Sequence, residues 1–181
     1  MIKKFGFTLA EVLITLGIIG VVAAMTIPTL MQSTNDAELK SGYKKFMSVL
    51  NQAISMNYAL DGVDFSGLTQ EGNVTDDKGT SWRGFIYRRL NVIGSDESAG
   101  KYYFSDGTSI EDIKMDGCES ATAPTPNCSF LIDVNGKKGP NQLTVDKTKL
   151  KDQYRVYAYN RVVSPDGTNE NDPGTYILRN D

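Results

Sequence analysis

The apolar run at residues 7–30 constrains the fold and location of this chain more than any other feature. Across its 24 residues, Glu11 is the single charged side chain. At 1.5 Å per residue, a helix of that length reaches about 36 Å, enough to cross the roughly 30 Å hydrocarbon core of a bilayer. Lys3 and Lys4 precede the run, and no basic cluster follows it closely. The positive-inside bias therefore predicts a membrane-spanning helix with a cytoplasmic N-terminus and with the remaining chain outside.

Two kinds of processing fit an apolar run at the N-terminus. A secretory signal peptide is cut after its apolar stretch, next to a small-residue pattern such as Ala-x-Ala. The residues after Ile27 read Pro-Thr-Leu-Met-Gln-Ser-Thr, which lacks that pattern. The other interpretation places the cut before the run, between Gly6 and Phe7, so that the helix is retained in the mature chain.

Residues 3–14 read Lys-Lys-Phe-Gly-Phe-Thr-Leu-Ala-Glu-Val-Leu-Ile. This string resembles the processing and methylation signal of type IV pilins and of the pseudopilins of type II secretion, with a short basic leader, Gly before the cut and Phe after it. The resemblance implies that a prepilin peptidase removes residues 1–6 by cutting after Gly6. It also implies that the new amino terminus, Phe7, is methylated.

Glu11 needs a structural reason, since a charge at the centre of a membrane helix costs about 2.5–3.5 kcal/mol on insertion scales and less near the interface. The spacing of Thr8 and Glu11 fits a capping box, with Thr8 at the N-cap and Glu11 at the third helical position. A second interpretation, which the pilin resemblance implies, pairs Glu11 of one subunit with the protonated amino terminus at Phe7 of the next. The two interpretations are compatible.

Pro28 lies inside the predicted helix, where it removes one backbone hydrogen bond and clashes with the preceding turn. We therefore predict a kink at this position. Beyond it, apolar residues recur at steps of three and four up to residue 60, which predicts an amphipathic continuation over residues 31–60. The stripe expected to face the core consists of Leu39, Tyr43, Phe46, Met47, Leu50, Ala53, Ile54 and Tyr58.

The remaining chain, residues 61–181, is predicted to form a globular head. Residues 61–81 are rich in Gly, Asp, Thr and Asn and predict an irregular connection. Strand patterns cover residues 101–104, 109–115, 129–134 and 154–163. These segments predict an α+β fold of the kind that the resemblance implies, a pilin-like long helix packed against a small antiparallel sheet.

Residues 82–93 predict a short helix within the head. Its apolar side chains, expected in the core, are Trp82, Phe85, Ile86 and Leu90. Arg83, Arg88 and Arg89 are expected outside. Three neighbouring arginines can bind phosphate or DNA, but an ordinary solvated helix face is favoured because the whole chain is acidic.

Cys118 and Cys128 are the two cysteines of the chain, ten positions apart. An even cysteine count in an exported domain favours a disulfide bond, whereas two cysteines without histidine make a poor zinc site. A free, buried pair remains the alternative where the surroundings are reducing.

Residues 130–141 contain an Asp-x-Asn-Gly stretch, similar to a strand-and-turn segment of many pseudopilin-like heads. Asp133, Asn135 and Asp146 offer hard oxygen ligands and so raise the possibility of a calcium site. An EF-hand loop that opens at Asp133 needs Glu at position 144, where Thr144 stands. A turn-forming role is therefore favoured over calcium binding.

Composition excludes several function classes. A net charge of -3 without a dense basic stripe argues against nucleic acid as a partner. The chain has no histidine, which excludes Ser-His and Cys-His dyads. A membrane-tethered enzyme is disfavoured because no nucleophile, base and metal constellation emerges, and no cofactor is expected.

The expected function is that of a structural subunit, a pilin or pseudopilin that polymerises into a type IV pilus or type II secretion pseudopilus. Its expected partners are the inner membrane, the prepilin peptidase, identical or related subunits and the assembly platform. We expect a single-pass protein of the inner membrane that enters an extracytoplasmic filament. The alternative is a minor pilin that acts as a tip adhesin or as a DNA-uptake module.

Overall fold

The computed structural model describes residues 6–69, 80–96, 98–166, 169 and 171–180. The chain divides into two compact units, which are residues 1–38 and residues 39–181. The leader residues 1–5 and residues 70–79 of the expected irregular connection lie outside the described part. The order of the elements along the chain is α1, α2, β1 to β6 and α3.

Helix α1, Leu9–Asp61, contributes to both units. Its buried side chains all lie in the second unit and follow the predicted stripe with one exception. Tyr58 was expected in the core but is 42 % exposed, with the guanidinium of Arg161 4.4 Å from its ring centre. Asn57 is buried instead, and its side-chain amide donates to the carbonyl of Val63 at 2.9 Å. The apolar stripe thus ends at Ile54, and the polar Asn57 takes the last buried position of α1.

Helix α2, Trp82–Arg89, begins at Ser81, whose hydroxyl accepts a hydrogen bond from the backbone N–H of Gly84 at 3.0 Å. This bond is an N-cap, which satisfies one of the amide groups left free at a helix start. The prediction that the helix continues to residue 93 is wrong. Leu90 is extended, and β1, Val92–Asp96, follows, as the β-branched side chains of Val92 and Ile93 favour. The four predicted core side chains of this segment are buried.

Arg89 also differs from the prediction, because only 11 % of its side chain is exposed. Its Nε donates to the Oδ1 of Asn57 at 3.0 Å, and its guanidinium forms an ion pair with Asp61. The arginine therefore ties α2 to the C-terminal end of α1. Arg88 is exposed, as expected.

The sheet has six antiparallel strands in the order β1-β2-β3-β4-β5-β6, so that each strand pairs with its neighbours in sequence. The other strands are β2 (Lys101–Phe104), β3 (Ser109–Lys114), β4 (Ser129–Asp133), β5 (Gln153–Tyr159) and β6 (Val162–Ser164). The α+β class and the pilin-like arrangement of helix and sheet are confirmed.

The last predicted strand, residues 154–163, is a hairpin. β5 and β6 are joined by a turn in which Asn160 has φ of 48°. Asn tolerates this left-handed conformation better than most side chains. The pattern missed this turn because it lacks glycine and proline. It also missed β1 and the C-terminal helix α3, Pro173–Arg179.

Aromatic contacts join the second unit's part of α1 to the sheet. The ring centres of Tyr43 and Tyr154 lie 4.6 Å apart, and those of Phe46 and Phe104 lie 5.2 Å apart. Such pairs add about 0.5–1.5 kcal/mol beyond the burial of their area. The helix thus forms one wall of the core.

Asn51 of α1 is hydrogen-bonded to the backbone of β6. Its Nδ2 donates to the carbonyl of Val163 at 3.0 Å, and its Oδ1 accepts from the N–H of the same residue at 2.9 Å. The side-chain amide therefore satisfies both polar groups of this residue at the sheet border.

A disulfide bond joins Cys118 and Cys128, both fully buried. Cys118 opens a short 3-10 helix, and Cys128 immediately precedes β4. In the chain-entropy account, a cross-link that closes a loop of this length stabilises the folded state by about 3 kcal/mol, because it lowers the entropy of the unfolded chain.

Candidate processing and assembly site

The expected cut lies in accessible, non-helical chain. Gly6 and Phe7 precede α1, and the Phe7 side chain is 88 % exposed. A Cβ atom built on Gly6 meets no other atom within 4 Å. The fold itself therefore imposes no requirement for glycine at this position.

The start of α1 is a reciprocal capping box. The backbone N–H and the hydroxyl of Thr8 both donate to Oε2 of Glu11, at 2.9 and 2.7 Å. In return, the N–H of Glu11 donates to the Thr8 hydroxyl at 3.3 Å. The predicted capping geometry is present, and it fixes the carboxylate one turn from Phe7.

The capping box engages one carboxylate oxygen of Glu11. Both bonds from Thr8 end on Oε2, and Oε1 accepts no hydrogen bond from the part of the chain that the structure describes. Glu11 also lines an open depression of about 400 Å³ together with Phe7, Val12 and Thr15. A second donor can therefore reach the carboxylate without displacing Thr8.

Apart from Glu11, Thr15, Thr26 and Thr29, the first part of α1 is apolar on its whole circumference. Its large side chains, from Leu9 to Met31, are 42 to 78 % exposed. Among the described residues, α1 is the one helix long and apolar enough to cross a membrane, and none of its most apolar 18-residue window is buried. A helix of this kind is stable where lipid or other helices cover it.

Two hydroxyl groups within the apolar segment are satisfied by its own backbone. Thr15 donates to the carbonyl of Glu11 at 2.9 Å, and Thr26 donates to that of Val22 at 3.0 Å. Internal satisfaction of polar groups is what an environment without water demands.

Pro28 lies within α1, where it has no N–H to donate to the carbonyl of Ala24. The kink at Pro28 remains a prediction.

The three calcium candidates take part in turns. The Oδ1 of Asp133 accepts from the N–H of Asn135 and of Gly136, at 3.1 and 2.8 Å. Asp146 accepts from the N–H of Thr148 at 2.8 Å. The described residues contain no group of three or more Asp, Glu, Cys or His side chains placed to hold a metal ion. The favoured turn-forming role of these residues is consistent with this geometry.

Burial raises the pKa of Asp133 to about 6. The side-chain amide of Gln153 and the two turn N–H groups oppose this rise, whereas the carboxylate of Asp152 adds to it. Asp152, which the sequence pattern did not single out, is fully buried and accepts from the N–H of Asn141 and of Gln142. The effect of Asp152 on Asp133 could not be predicted from a local pattern, because the two residues are 19 positions apart and only the fold brings them together.

As pH rises from about 4 to 6, we expect the unfolding free energy of the wild type to decrease relative to that of Asp133→Asn. The pKa of the buried carboxyl is raised on folding, so its contribution is complete below the unfolded pKa and is lost as pH rises through 6. The loss is at most about 3 kcal/mol. Urea unfolding at pH 4 to 8 measures it.

Asp146→Asn is the matched control for this titration. The N–H of Thr148 lowers the pKa of Asp146, so its contribution is present at neutral pH and is lost as pH falls. Above about pH 5, the difference in unfolding free energy between Asp146→Asn and the wild type should therefore stay constant, whereas the difference for Asp133→Asn should still change up to about pH 6. Identical pH profiles for Asp133→Asn and the wild type would contradict the raised pKa.

Comparison with known proteins gives one match. The family model of the prokaryotic N-terminal methylation motif matches residues 1–27. Neither the curated proteins nor the solved structures contain a match to the chain. The matched residues include Gly6, Phe7, Thr8 and Glu11, the residues of the expected cut and of the capping box. Over residues 1–27, the chain therefore carries the methylation signal of type IV pilins and pseudopilins.

Proposed function

We propose that the chain is the precursor of a filament subunit, a pilin or pseudopilin. A prepilin peptidase cuts it after Gly6 and methylates the amino terminus of Phe7, and the mature chain polymerises into a type IV pilus or a type II secretion pseudopilus. The methylation motif at residues 1–27 is the observation that carries this proposal.

The exposed apolar surface of α1 needs cover both before and after polymerisation. Before assembly, the bilayer covers the side chains between Leu9 and Met31. In a filament, the same segments of neighbouring subunits cover each other. A contact between different surfaces of successive copies produces an open filament when its rotation does not close into a ring.

Glu11 gives this contact a direction. Its carboxylate keeps Oε1 available while Thr8 occupies Oε2, and an amino terminus is mainly protonated near neutral pH because its reference pKa is about 8. In the proposed filament, the amine of Phe7 from an adjacent subunit approaches Oε1. The pair neutralises two charges that are both costly in an apolar interior.

The experiment is production of the full chain together with a prepilin peptidase and an assembly platform. The expected products are filaments that bind antibodies against residues 39–181 along their whole length, with a subunit mass that begins at a methylated Phe7. A mature chain that begins after residue 30 and stays soluble would refute the proposal.

The alternative, a minor pilin that acts as a tip adhesin or DNA-uptake module, predicts another labelling pattern in the same experiment. Antibodies would then bind at one end of a filament built mainly from a different subunit. Labelling along the whole length excludes this alternative for the chain.

A further inference from the structure

The connection between β4 and β5, residues 134–152 and here named the basic loop, has a charge opposite to that of the rest of its unit. It contains five lysines and two aspartates, whereas the remainder of residues 39–181 has 12 basic and 17 acidic side chains. The five lysines are Lys137, Lys138, Lys147, Lys149 and Lys151. Positive charge is therefore concentrated in one segment of an otherwise acidic unit.

The two aspartates of the basic loop are engaged by its own backbone. Asp152 is buried beneath the N–H groups of residues 141 and 142, and Asp146 accepts the N–H of Thr148. Lys137, Lys138 and Lys149 are exposed, and none of them forms an ion pair with the part of the chain that the structure describes. The ammonium of Lys137 lies 4.6 Å from the ring centre of Tyr103, and all three side chains are accessible to solvent.

Apolar side chains are also exposed in the basic loop. Val145 is 78 % exposed and Leu143 is 40 % exposed. Lys137 and Lys138 also line an open cleft of about 270 Å³ with the apolar side chain of Ile93. Lysines interspersed with exposed apolar groups are typical of surfaces that lie in a membrane interface.

The basic loop starts beside the part of α1 where the chain enters the second unit. A Cβ atom built on Gly42 of α1 would lie 2.4 Å from Cγ1 of Val134, so the helix and the start of the loop are in direct contact. Twelve positions separate Gly42 from Leu30, the last residue of the apolar run. Even fully extended, such a connection reaches only about 40 Å, so it keeps the start of the loop within about that distance of a membrane that holds residues 7–30.

We infer that the basic loop docks on the anionic phospholipid headgroups of the membrane that holds residues 7–30. The lysines bind the phosphates, and Val145 and Leu143 enter the boundary with the acyl chains. The inference rests on the proposed membrane anchoring of the chain. Docking would orient the subunit before it enters a filament, because the acidic remainder of the unit is repelled by the same surface.

The exposed apolar groups favour lipid over the acidic surface of a second copy. A protein surface rich in carboxylates pairs with the lysines but gives Val145 no apolar environment. A bilayer interface supplies both an anion and an apolar layer at the same place.

The test reconstitutes the full mature chain at low density in two kinds of vesicle, phosphatidylcholine alone and a mixture with about one-third phosphatidylglycerol. An amine-acylating reagent labels the lysines, and mass spectrometry measures the rate at each site. We expect acylation of Lys137, Lys138 and Lys149 to be at least threefold slower in the anionic vesicles, and about 0.5 M salt should remove the difference through screening. Lys114, at the opposite end of β3 and 51 % exposed, serves as the internal control and should react equally in both.

A triple variant provides a second measurement. The triple variant combines Lys137→Gln, Lys138→Gln and Lys149→Gln, and in it the acylation rate of Lys147 should be equal in the two kinds of vesicle. In the single variant Lys114→Gln, the acylation rate of Lys147 should still depend on the lipid. Equal acylation rates in the two kinds of vesicle for the wild type would overturn the inference, because they would mean that the loop does not dock. Protection that depends on protein density instead of lipid charge would also overturn it, because it would indicate contact between copies of the chain. Failure of the chain to float with either vesicle would overturn the anchoring itself.

Discussion

Glu11→Ala is expected to be inserted into the membrane and processed, yet to lower the yield of sedimentable filaments at least tenfold. Removing one partner of a buried ion pair leaves the other charge uncompensated, at a cost of about 3–5 kcal/mol. Here the remaining charge is the amino terminus at Phe7, and the cost recurs at each subunit contact. Filament yield and the mass of the mature chain together measure the effect.

Two further variants separate charge from capping at this position. Glu11→Gln retains an oxygen that can accept the bonds from Thr8, because a capping box accepts Gln as well as Glu, but it removes the charge. We expect it to assemble as poorly as Glu11→Ala. Thr8→Ala removes the cap, at a cost of about 1 kcal/mol to the helix start, and should still assemble. Normal filaments from Glu11→Gln would show that capping alone explains Glu11.

Gly6→Val is expected to accumulate as uncut precursor, with little or no mature chain on an immunoblot, whereas Gly6→Ala should be cut more slowly than the wild type. The fold has room for either side chain, since a Cβ atom at Gly6 meets nothing within 4 Å. The defect is therefore expected in recognition by the peptidase, because the active site of that enzyme must accommodate the residue at position 6. Intact mass spectrometry distinguishes precursor from product.

Gly17→Val is the matched control for this cut. Gly17 also has open space around its Cβ position, and it lies in the apolar part of α1, away from the cut. Its variant should be processed at the normal rate. Efficient cleavage of Gly6→Val, or equal slowing of Gly17→Val, would contradict recognition of glycine at position 6.

Local patterns allowed the site to be predicted from the sequence. Thr8 and Glu11 are three positions apart, so their hydrogen bonds depend on one helical turn and on no other part of the chain. The apolar run and the expected cut before it are also continuous in sequence. The orientation of the two carboxylate oxygens of Glu11 required the structure.

The parts of the fold that were missed depend on contacts between distant residues. Arg89 reads as one of several surface arginines, and its ion pair exists because the fold brings it to Asp61. The hairpin of β5 and β6 turns at Asn160 without the glycine that usually marks such a turn. The charge of the basic loop can be counted from the sequence, but its place beside Gly42 depends on how α1 packs against the sheet.

The bonds between Asn51 and Val163 have a consequence for crowded subunits. A strand at the margin of a sheet exposes amide and carbonyl groups that can recruit a strand from another molecule, which leads to aggregation. At β6, the carboxamide of Asn51 already occupies the groups of Val163. Heads brought side by side at high local concentration are thereby discouraged from fusing through this margin, so each can remain a separately folded body while the chains associate elsewhere.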